Sequence, residues 1–294
     1  MQNFFQAKTD TTDSDRTPET APDNVLTSTP TTRALTIAEE IDALTDPSFM
    51  TSLARGLAVI KAFSDQRRAM TIAQLSHKTG IPRAAVRRCL YTLKQLGYAD
   101  AEANNFYLKP KILSLGYSYL SSTPLTISAQ PALNEISREL NESCSLGVLE
   151  DHEVIYISRS QSSRVMSVAL NAGSRIPAYC SSMGRVLLST FSEDELSAYF
   201  EAVRMVAFTD RTVTEESQLR DILNDVRQRG YAIVEEELEI GLRSIAVPVR
   251  GASGMPVAAL CIGAQVGRAD RSQLEQGFLP LLLNTASDLS VLLP

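Results

Sequence analysis

The chain has 294 residues, of which 44% are hydrophobic, and a formal net charge of -6, so it can hold one large domain or two ordinary ones. No apolar run approaches the roughly 20 residues that cross a bilayer, and residues 1–10 lack the basic start and apolar stretch of a secretory signal, so we expect a cytoplasmic protein. The four cysteines are scattered and form no CxxC pair, so the sequence predicts neither a metal site nor a bound cofactor.

Positive charge is concentrated in one part of the chain. The net charge is -6 over residues 1–50, +8 over residues 51–120 and -8 over residues 121–294. A basic segment in an acidic protein is typical of a module that binds an anionic polymer. An exposed cationic face without such a partner is the alternative at this point.

Residues 1–46 are rich in Thr, Asp, Ser and Pro and poor in large apolar side chains. Such a segment cannot bury enough surface to offset its conformational entropy. We therefore expect an acidic, disordered tail, with room for a short helix around residues 37–44. The composition does not indicate a role for it.

Three short helical patterns follow the tail. In the first, "SLARGLAVIKAF", apolar residues at Leu53, Leu57, Ile60 and Phe63 have helical spacing and are expected to face inward. Ser52 is the expected N-cap of this helix, because its hydroxyl can accept a hydrogen bond from the first turn.

The second and third helical patterns are joined by a tight turn. Thr71 is expected to cap "IAQLSHKTG", and Gly80 suits the left-handed position that ends a helix. Pro82 suits the first turn of a third helix, which extends to Leu96. Two helices joined by a glycine-bearing turn of this kind are typical of a helix-turn-helix.

The segment "YADAEANNFYLKP" predicts a β-hairpin that turns at Asn104–Asn105, since asparagine tolerates left-handed backbone conformations. This hairpin would form a wing beside the third helix and complete a DNA-binding domain over residues 50–109. Residues 110–122 predict a linker helix, and Pro124 marks the next boundary.

Residues 124–294 alternate between helix and strand patterns. The segments "SCSLGVLED" and "EVIYISRS" predict a hairpin around Asp151–His152, and residues 231–265 predict three strands. A helix over residues 125–141 must place Pro131 near its start or at a kink. Mixed order with hairpins favours an antiparallel α+β sheet over a doubly wound one.

The third helix has two unlike faces when its residues are placed at 100° intervals. Its apolar face comprises Val86, Cys89, Leu90, Leu93 and Leu96. The opposite face carries arginines, which can donate two hydrogen bonds to guanine or neutralise a phosphate. An ordinary surface helix mixes both signs of charge, but residues 83–96 contain no Asp or Glu. The residues expected to contact double-stranded DNA are Thr71, Arg83, Ala84, Arg87, Arg88, Tyr91 and Lys94.

The segments "SLARGLAVIKAF" and "TIAQLSHKTGIPRAAVRRCLYTLKQLGY" resemble the DNA-binding domain of the IclR family of bacterial transcriptional regulators. The later segments "SRIPAYCSSMGRVLLS" and "EEELEIGLRSIAVPV" resemble the effector-binding domain of that family, so the likeness extends over residues 50–294. It is strongest to the branch that regulates protocatechuate, 4-hydroxybenzoate and β-ketoadipate catabolism.

The resemblance implies a winged helix-turn-helix, a linker helix and an α+β domain over residues 124–294 that binds a small organic acid and mediates oligomerisation. It also implies a homodimer or tetramer on a palindromic promoter site, because a twofold dimer matches a palindrome. RNA polymerase is a further candidate partner, and no membrane contact is expected.

Residues 181–183 begin a predicted helix, whose free backbone N–H groups can bind an anion. The resemblance places the effector pocket at this same turn. The residues expected to contact the effector are Arg164, Val165, Val168, Ile176, Tyr179, Ser182, Met183, Arg185, Val234, Ser244, Cys261 and Gly263.

Some of these assignments leave alternatives open. Arg164, Arg185 and the further candidate Arg243 could each form an ion pair instead of binding a carboxylate, and Tyr179 could be a core residue instead of an aromatic stacking partner.

The sequence gives less support to two other classes of function. An enzyme is disfavoured, because the chain has no GxSxG elbow or Walker loop, and its two histidines, His77 and His152, have no recognisable nucleophile partner. A regulator of the same fold that senses an unrelated metabolite, or redox state through Cys144 or Cys180, is the remaining alternative. The sequence therefore predicts a DNA-binding regulator controlled by an aromatic acid or a β-ketoadipate-pathway metabolite.

Overall fold

The structure is a computed structural model that describes residues 36–63, 68–161 and 170–291. The chain divides into two compact units, with the boundary between Leu108 and Lys109. Most of the expected tail, residues 1–35, lies outside the described residues.

The first unit contains four helices and a β-hairpin in its described residues. In chain order these are α1 (Ile37–Ala43), α2 (Thr51–Ala62), α3 (Ile72–Thr79), α4 (Arg83–Gln95), β1 (Ala99–Glu102) and β2 (Asn105–Leu108). The core between the helices is fully buried at Val59, Leu75, Ile81, Val86 and Leu90.

Local sequence signals set the helix-turn-helix. Thr71 caps α3 through a capping box with Gln74, in which each side chain bonds the backbone N–H of the other residue. Gly80 ends α3 in the left-handed conformation, with φ of 74°. The helix α4 then begins directly after Pro82.

The first predicted helix differs from the structure in its cap and its buried face. Met50 occupies the N-cap position of α2, without a side-chain cap, so the assignment of Ser52 was wrong. Leu53 and Leu57 are 58% and 49% exposed, whereas three smaller residues of α2 are buried. These buried residues are Ala58, Val59 and Ala62. Small side chains on this face allow α2 to pack closely on its neighbours.

The hairpin turns one residue earlier than predicted. Ala103 and Asn104 hold the positive φ angles, 45° and 68°, and Asn105 already pairs with Glu102 in the ladder. A two-residue turn of type I′ needs positive φ at both central positions. Leu96, predicted to face inward, follows the end of α4 and is 54% exposed.

The second unit begins with a 3-10 turn at Pro110–Ile112. Its helices are α5 (Leu113–Ser122), α6 (Pro124–Leu140), α7 (Ser182–Leu188), α8 (Glu193–Ala202), α9 (Glu216–Arg229), α10 (Arg271–Gln273) and α11 (Leu279–Val291). Its strands are β3 (Ser143–Glu150), β4 (Glu153–Ser160), β5 (Arg175–Pro177), β6 (Ala232–Glu235), β7 (Leu242–Arg250) and β8 (Pro256–Gln265). The helix α6 continues through Pro131.

The six strands form one antiparallel sheet in the order β5-β4-β3-β8-β7-β6. Side chains alternate between its faces, so Ile245 and Val247 belong to one apolar cluster and Ala246 to another. The first cluster packs α6 and α11 on one face, and the second packs α7, α8 and α9 on the other. This arrangement confirms the predicted α+β fold class. None of the helices in the described ranges has both the length and the apolarity needed to cross a membrane.

Candidate functional site

A basic groove runs between α3, α4 and the wing in the first unit. Its walls comprise Thr71, Ile72, Ala73, Arg83, Arg87, Tyr91, Lys94, Ala101, Asn104 and Phe106. Arg83, Arg87 and Lys94 are exposed, and the ring of Tyr91 is 64% exposed. The Lys94 ammonium lies 2.8 Å from Asp100 on β1, which ties α4 to the wing. The groove therefore presents cationic and hydrogen-bonding groups at an exposed edge.

The predicted DNA-contacting residues do not all lie in the basic groove. Five line the basic groove, and Ala84 is exposed on α4 without lining it. Arg88 lies on the other side of α4, because one residue advances the helix by about 100°, and it lines a second, largely apolar groove with Leu53, Leu57 and Leu96. Direct base contact is therefore better supported for Arg87 than for Arg88.

In the second unit, strand register builds a cavity on the sheet face that packs α7. One row across the strands pairs Arg159 with Ser145 and Ser145 with Cys261. A second row, two residues along β3 and β8, pairs Ser143 with Gly263 and Gly263 with Ser244. All six residues line a cavity of about 130 Å³.

The remaining walls of this cavity are mostly apolar. They comprise Tyr156, Leu170, Ile176, Ser182, Met183, Leu238, Glu239 and Leu242. Six of the predicted effector-contacting residues surround the cavity, namely Ile176, Ser182, Met183, Ser244, Cys261 and Gly263. A cavity of this order admits a single ring the size of benzene.

Arg159 is the functional candidate that sequence reasoning missed. Its Nη1 donates to Ser145 Oγ at 3.1 Å, and its guanidinium lies 5.7 Å from the centre of the Tyr156 ring. Arg159 belongs to no local motif, and only its pairing with Ser145 in the β3–β4 hairpin brings it to the cavity. An arginine on this wall can bind a carboxylate bidentately.

The helix α7 is pressed against the chain that precedes it. Ser181 caps it by accepting from the Gly184 N–H at 3.1 Å. A Cβ atom at position 184 would overlap the backbone of Ala178, so only glycine fits there. This contact brings Ser182 against β8, where its hydroxyl lies 3.5 Å from Cys261 Sγ.

Four residues predicted for the pocket lie elsewhere, namely Tyr179, Val234, Arg243 and Arg185. The Tyr179 hydroxyl donates to the Val206 carbonyl at 2.7 Å and accepts from the Val206 N–H at 2.9 Å, so this tyrosine is a core residue. Val234 is buried at the end of the second row, beyond the cavity. Arg243 lies 2.6 Å from Glu235. Arg164, Val165 and Val168 lie outside the described residues.

The fourth displaced residue, Arg185, forms a buried ion pair. It is 3% exposed and reaches both carboxylate oxygens of Glu237, at 2.7 and 2.8 Å. Arg185 Nε also donates to the Tyr179 carbonyl at 2.9 Å, and the Val213 N–H donates to Glu237 at 3.0 Å. Arg185 is thereby occupied within the protein and does not face the cavity.

Burial keeps the cysteine thiols of this unit protonated near neutral pH, because it raises their pKa. Desolvation raises the pKa of Cys180 to about 12, and the nearby Glu237 carboxylate adds to the rise. Desolvation raises the pKa of Cys261 to about 11 and that of Cys144 further. A thiol reacts through its thiolate, so these environments suppress reactivity. Among the described residues no cluster of His, Cys, Asp or Glu is placed to hold a metal ion.

Both units of the chain match known protein families. Residues 52–102 match the IclR helix-turn-helix domain, and residues 117–291 match the C-terminal domain of the bacterial transcriptional regulator IclR. The chain is 52% identical to the Pca regulon regulatory protein of Pseudomonas putida over 254 residues, which cover 86% of this chain and 87% of that protein.

The similar solved structures include one from Rhodococcus and one from Acinetobacter. A protein from Rhodococcus sp. RHA1, described as a candidate transcriptional regulator, has a TM-score of 0.75 at 42% identity, covering 83% of this chain and 98% of that chain. A double mutant of the PobR inducer-binding domain from Acinetobacter, in complex with 3-hydroxybenzoic acid, has a TM-score of 0.53 at 36% identity, covering 55% of this chain and 95% of that chain.

The chain therefore belongs to the IclR family of bacterial transcriptional regulators. This confirms the resemblance drawn from the sequence. It also agrees with the prediction that the protein is not an enzyme, because the matched families and relatives are regulators.

The buried ion pair yields a stability prediction. Glu237→Gln leaves the Arg185 charge buried without its counter-ion, so we expect the free energy of unfolding to fall by about 3–5 kcal/mol. Thermal and urea unfolding of the intact protein measure this loss. The matched control is Asp225→Asn, which breaks an exposed pair with Arg229 and should cost less than about 0.5 kcal/mol. Equal effects of the two substitutions would contradict the structural role of the buried pair.

Proposed function

We propose that the protein regulates transcription by binding a palindromic double-stranded DNA site through α4, under the control of an organic acid that occupies the cavity of the second unit. The observation that carries the DNA-binding part is the exposed basic edge of α4, where Arg83 and Arg87 face the groove and the helix contains no carboxylate. Such a helix can enter the major groove and address base edges.

Within this proposal, the groove residues have distinct roles. Arg87 lines the groove and suits a guanine contact through two hydrogen bonds. Arg83, Lys94 and Thr71 are better suited to phosphates, which set the position of the protein without reading sequence. Ala84 is small enough to allow close approach to the DNA, and Tyr91 offers a ring and a hydroxyl at the exposed edge.

A homodimer, alone or paired into a tetramer, is part of the proposal. No residue of α5 is buried, and its exposed apolar side chains include Leu113 and Tyr117. In the first unit, Leu53 and Leu57 line an apolar groove of about 470 Å³. Exposed apolar surface of this kind supports contact with a second copy, and a twofold dimer would match a palindromic site.

For the effector, we infer an acid that places its carboxylate at Arg159 and its apolar part between Ile176, Met183 and Leu238. The size of the cavity suits one small ring or a short chain. The names of the similar proteins, a Pca regulon regulator and a PobR domain with 3-hydroxybenzoic acid, support an aromatic acid or a β-ketoadipate-pathway metabolite. The acid alters DNA affinity only as far as it prefers one conformation over another.

Redox sensing through Cys144 or Cys180 is the weaker candidate. Their raised pKa values keep both thiols protonated near neutral pH, and both side chains are buried. These observations favour a metabolite over an oxidant as the signal.

The first test concerns DNA recognition. Arg87→Ala is expected to weaken binding of a specific duplex by about tenfold to a hundredfold, since a bidentate arginine–base contact contributes about 1–3 kcal/mol. Gel shifts with a duplex that the unaltered protein selects from a random library measure the affinity. Arg88→Ala, a control with the same charge change on the other side of α4, should cost less. Unchanged affinity of Arg87→Ala would remove the recognition-helix assignment.

The second test concerns the effector. The melting temperature is measured with protocatechuate, 4-hydroxybenzoate, β-ketoadipate, muconate and glyoxylate. A ligand at about 100 times its Kd should add about 2.7 kcal/mol, or a few degrees. Arg159→Gln should abolish the shift, whereas Arg229→Gln, on the exposed face of α9, should retain it. An undiminished shift in Arg159→Gln would refute the carboxylate assignment.

The third test separates metabolite sensing from redox sensing. Cys144 and Cys180 should react with a disulfide reagent only when the protein is unfolded, because burial holds them as protonated thiols. Mild peroxide should then leave DNA affinity unchanged, and Cys180→Ser should behave like the unaltered protein. Peroxide-dependent loss of DNA binding that Cys180→Ser prevents would favour the redox alternative.

A further inference from the structure

The helix α1 lies outside the part of the chain that matches the helix-turn-helix family, which begins at residue 52. It is nevertheless a well-formed element, with a capping box between Thr36 and Glu39. Ala38 and Ile41 on this helix are 7% and 8% exposed, so one face of it is buried. A seven-residue helix is not stable alone, so its packing must hold it in place.

The buried face of α1 joins the core of the DNA-binding unit. Ala38 and Ile41 belong to the same apolar cluster as Val59 of α2 and Leu75 of α3. An ion pair reinforces the contact, since Asp42 lies 2.8 Å from Arg55 of α2. The helix is therefore packed as part of this unit.

The start of α1 also lies against the turn of the helix-turn-helix. A Cβ atom at Gly80 would lie 2.8 Å from Thr36 Oγ1 and 3.3 Å from Ala38 Cβ. Ser76 of α3 stabilises the turn, because its hydroxyl donates a hydrogen bond to the Ile81 carbonyl at 2.7 Å. Gly80 is thus in close contact with the start of α1 on one side while it remains exposed to solvent on the other, and this turn sets the direction in which α4 leaves α3.

We propose that residues 36–46 act as a brace for DNA recognition, in which α1 positions α4 by holding the Gly80 turn. The role is one of positioning, because α1 acts through the turn. This inference rests on the proposed DNA-binding function for one of its two readouts. It extends the functional DNA-binding unit of this chain beyond the segment that matches the family.

The first readout is binding specificity. A displaced α4 loses base contacts that depend on register, while contacts of its charges with phosphates persist. We expect Ile41→Gln, and removal of residues 1–45, to weaken binding of the library-selected duplex by about tenfold or more, the cost of one lost base contact. Affinity for a random duplex should change by less than about twofold.

Matched controls separate the brace from other effects. Ile37→Gln makes the same substitution on the exposed side of α1, where Ile37 is 40% exposed, and should leave specific binding unchanged. Removal of residues 1–35 retains α1 and should do the same, whereas Ile41→Val should restore most of the affinity. The proposal is overturned if the protein without residues 1–45 binds the selected duplex as tightly as the full chain.

The second readout does not depend on DNA. The Gly80 N–H donates to the Ser76 carbonyl at 2.9 Å, so a loosened turn should exchange this amide hydrogen faster in Ile41→Gln than in Ile37→Gln. Unchanged exchange at Gly80 would refute the brace even where DNA binding is lost. Unchanged binding of Arg87→Ala would count against the recognition helix itself, and the exchange of the Gly80 amide would then still report whether α1 holds the turn.

Discussion

The buried ion pair between Arg185 and Glu237 holds together the segments that surround the cavity. Arg185 belongs to α7, whose start lines the cavity, and Glu237 belongs to the turn that carries Leu238 and Glu239 into its wall. Removing two ions from water costs several kcal/mol for each, so such a pair persists only when its remaining polar atoms are bonded. Here the Tyr179 carbonyl and the Val213 N–H provide those bonds.

The helix-turn-helix was largely predictable because its signals are local. Thr71 and Gly80 mark the ends of α3 within the sequence itself, through a cap and a left-handed residue. The errors in α2 arose because helical spacing was taken to mean that every apolar residue of the pattern packs in the core. Leu53 and Leu57 have helical spacing but are exposed, and the core instead contains Ala58, Val59 and Ala62. Hydrophobic periodicity locates an apolar face without saying whether the core or another surface covers it.

The cavity was only partly predictable because strand register brings its residues together. The motif around Ser182 is one stretch of sequence, yet Arg159 lies outside it and precedes Ser182 by 23 residues. Its place at the cavity follows from pairing with Ser145, which in turn pairs with Cys261. A β-bulge between Leu146 and Gly147 shifts this register, so alternation alone would misplace Arg159.

The turn that carries Glu237, Leu238 and Glu239 connects the cavity to residues 209–213 of the second unit. Leu238 and Glu239 line the cavity, while the preceding Glu236 and Glu237 are held by hydrogen bonds from residues 209–213. Thr209 and Thr212 donate to their carbonyls, and Arg211 pairs with Glu236. An acid that contacts Leu238 therefore acts on a turn that is anchored at residues 209–213. Binding of the acid can shift the equilibrium between two arrangements of that turn only by the difference in its affinity for them. The buried ion pair is the part of the anchor that resists displacement most strongly, because breaking it would leave a charge unpaired.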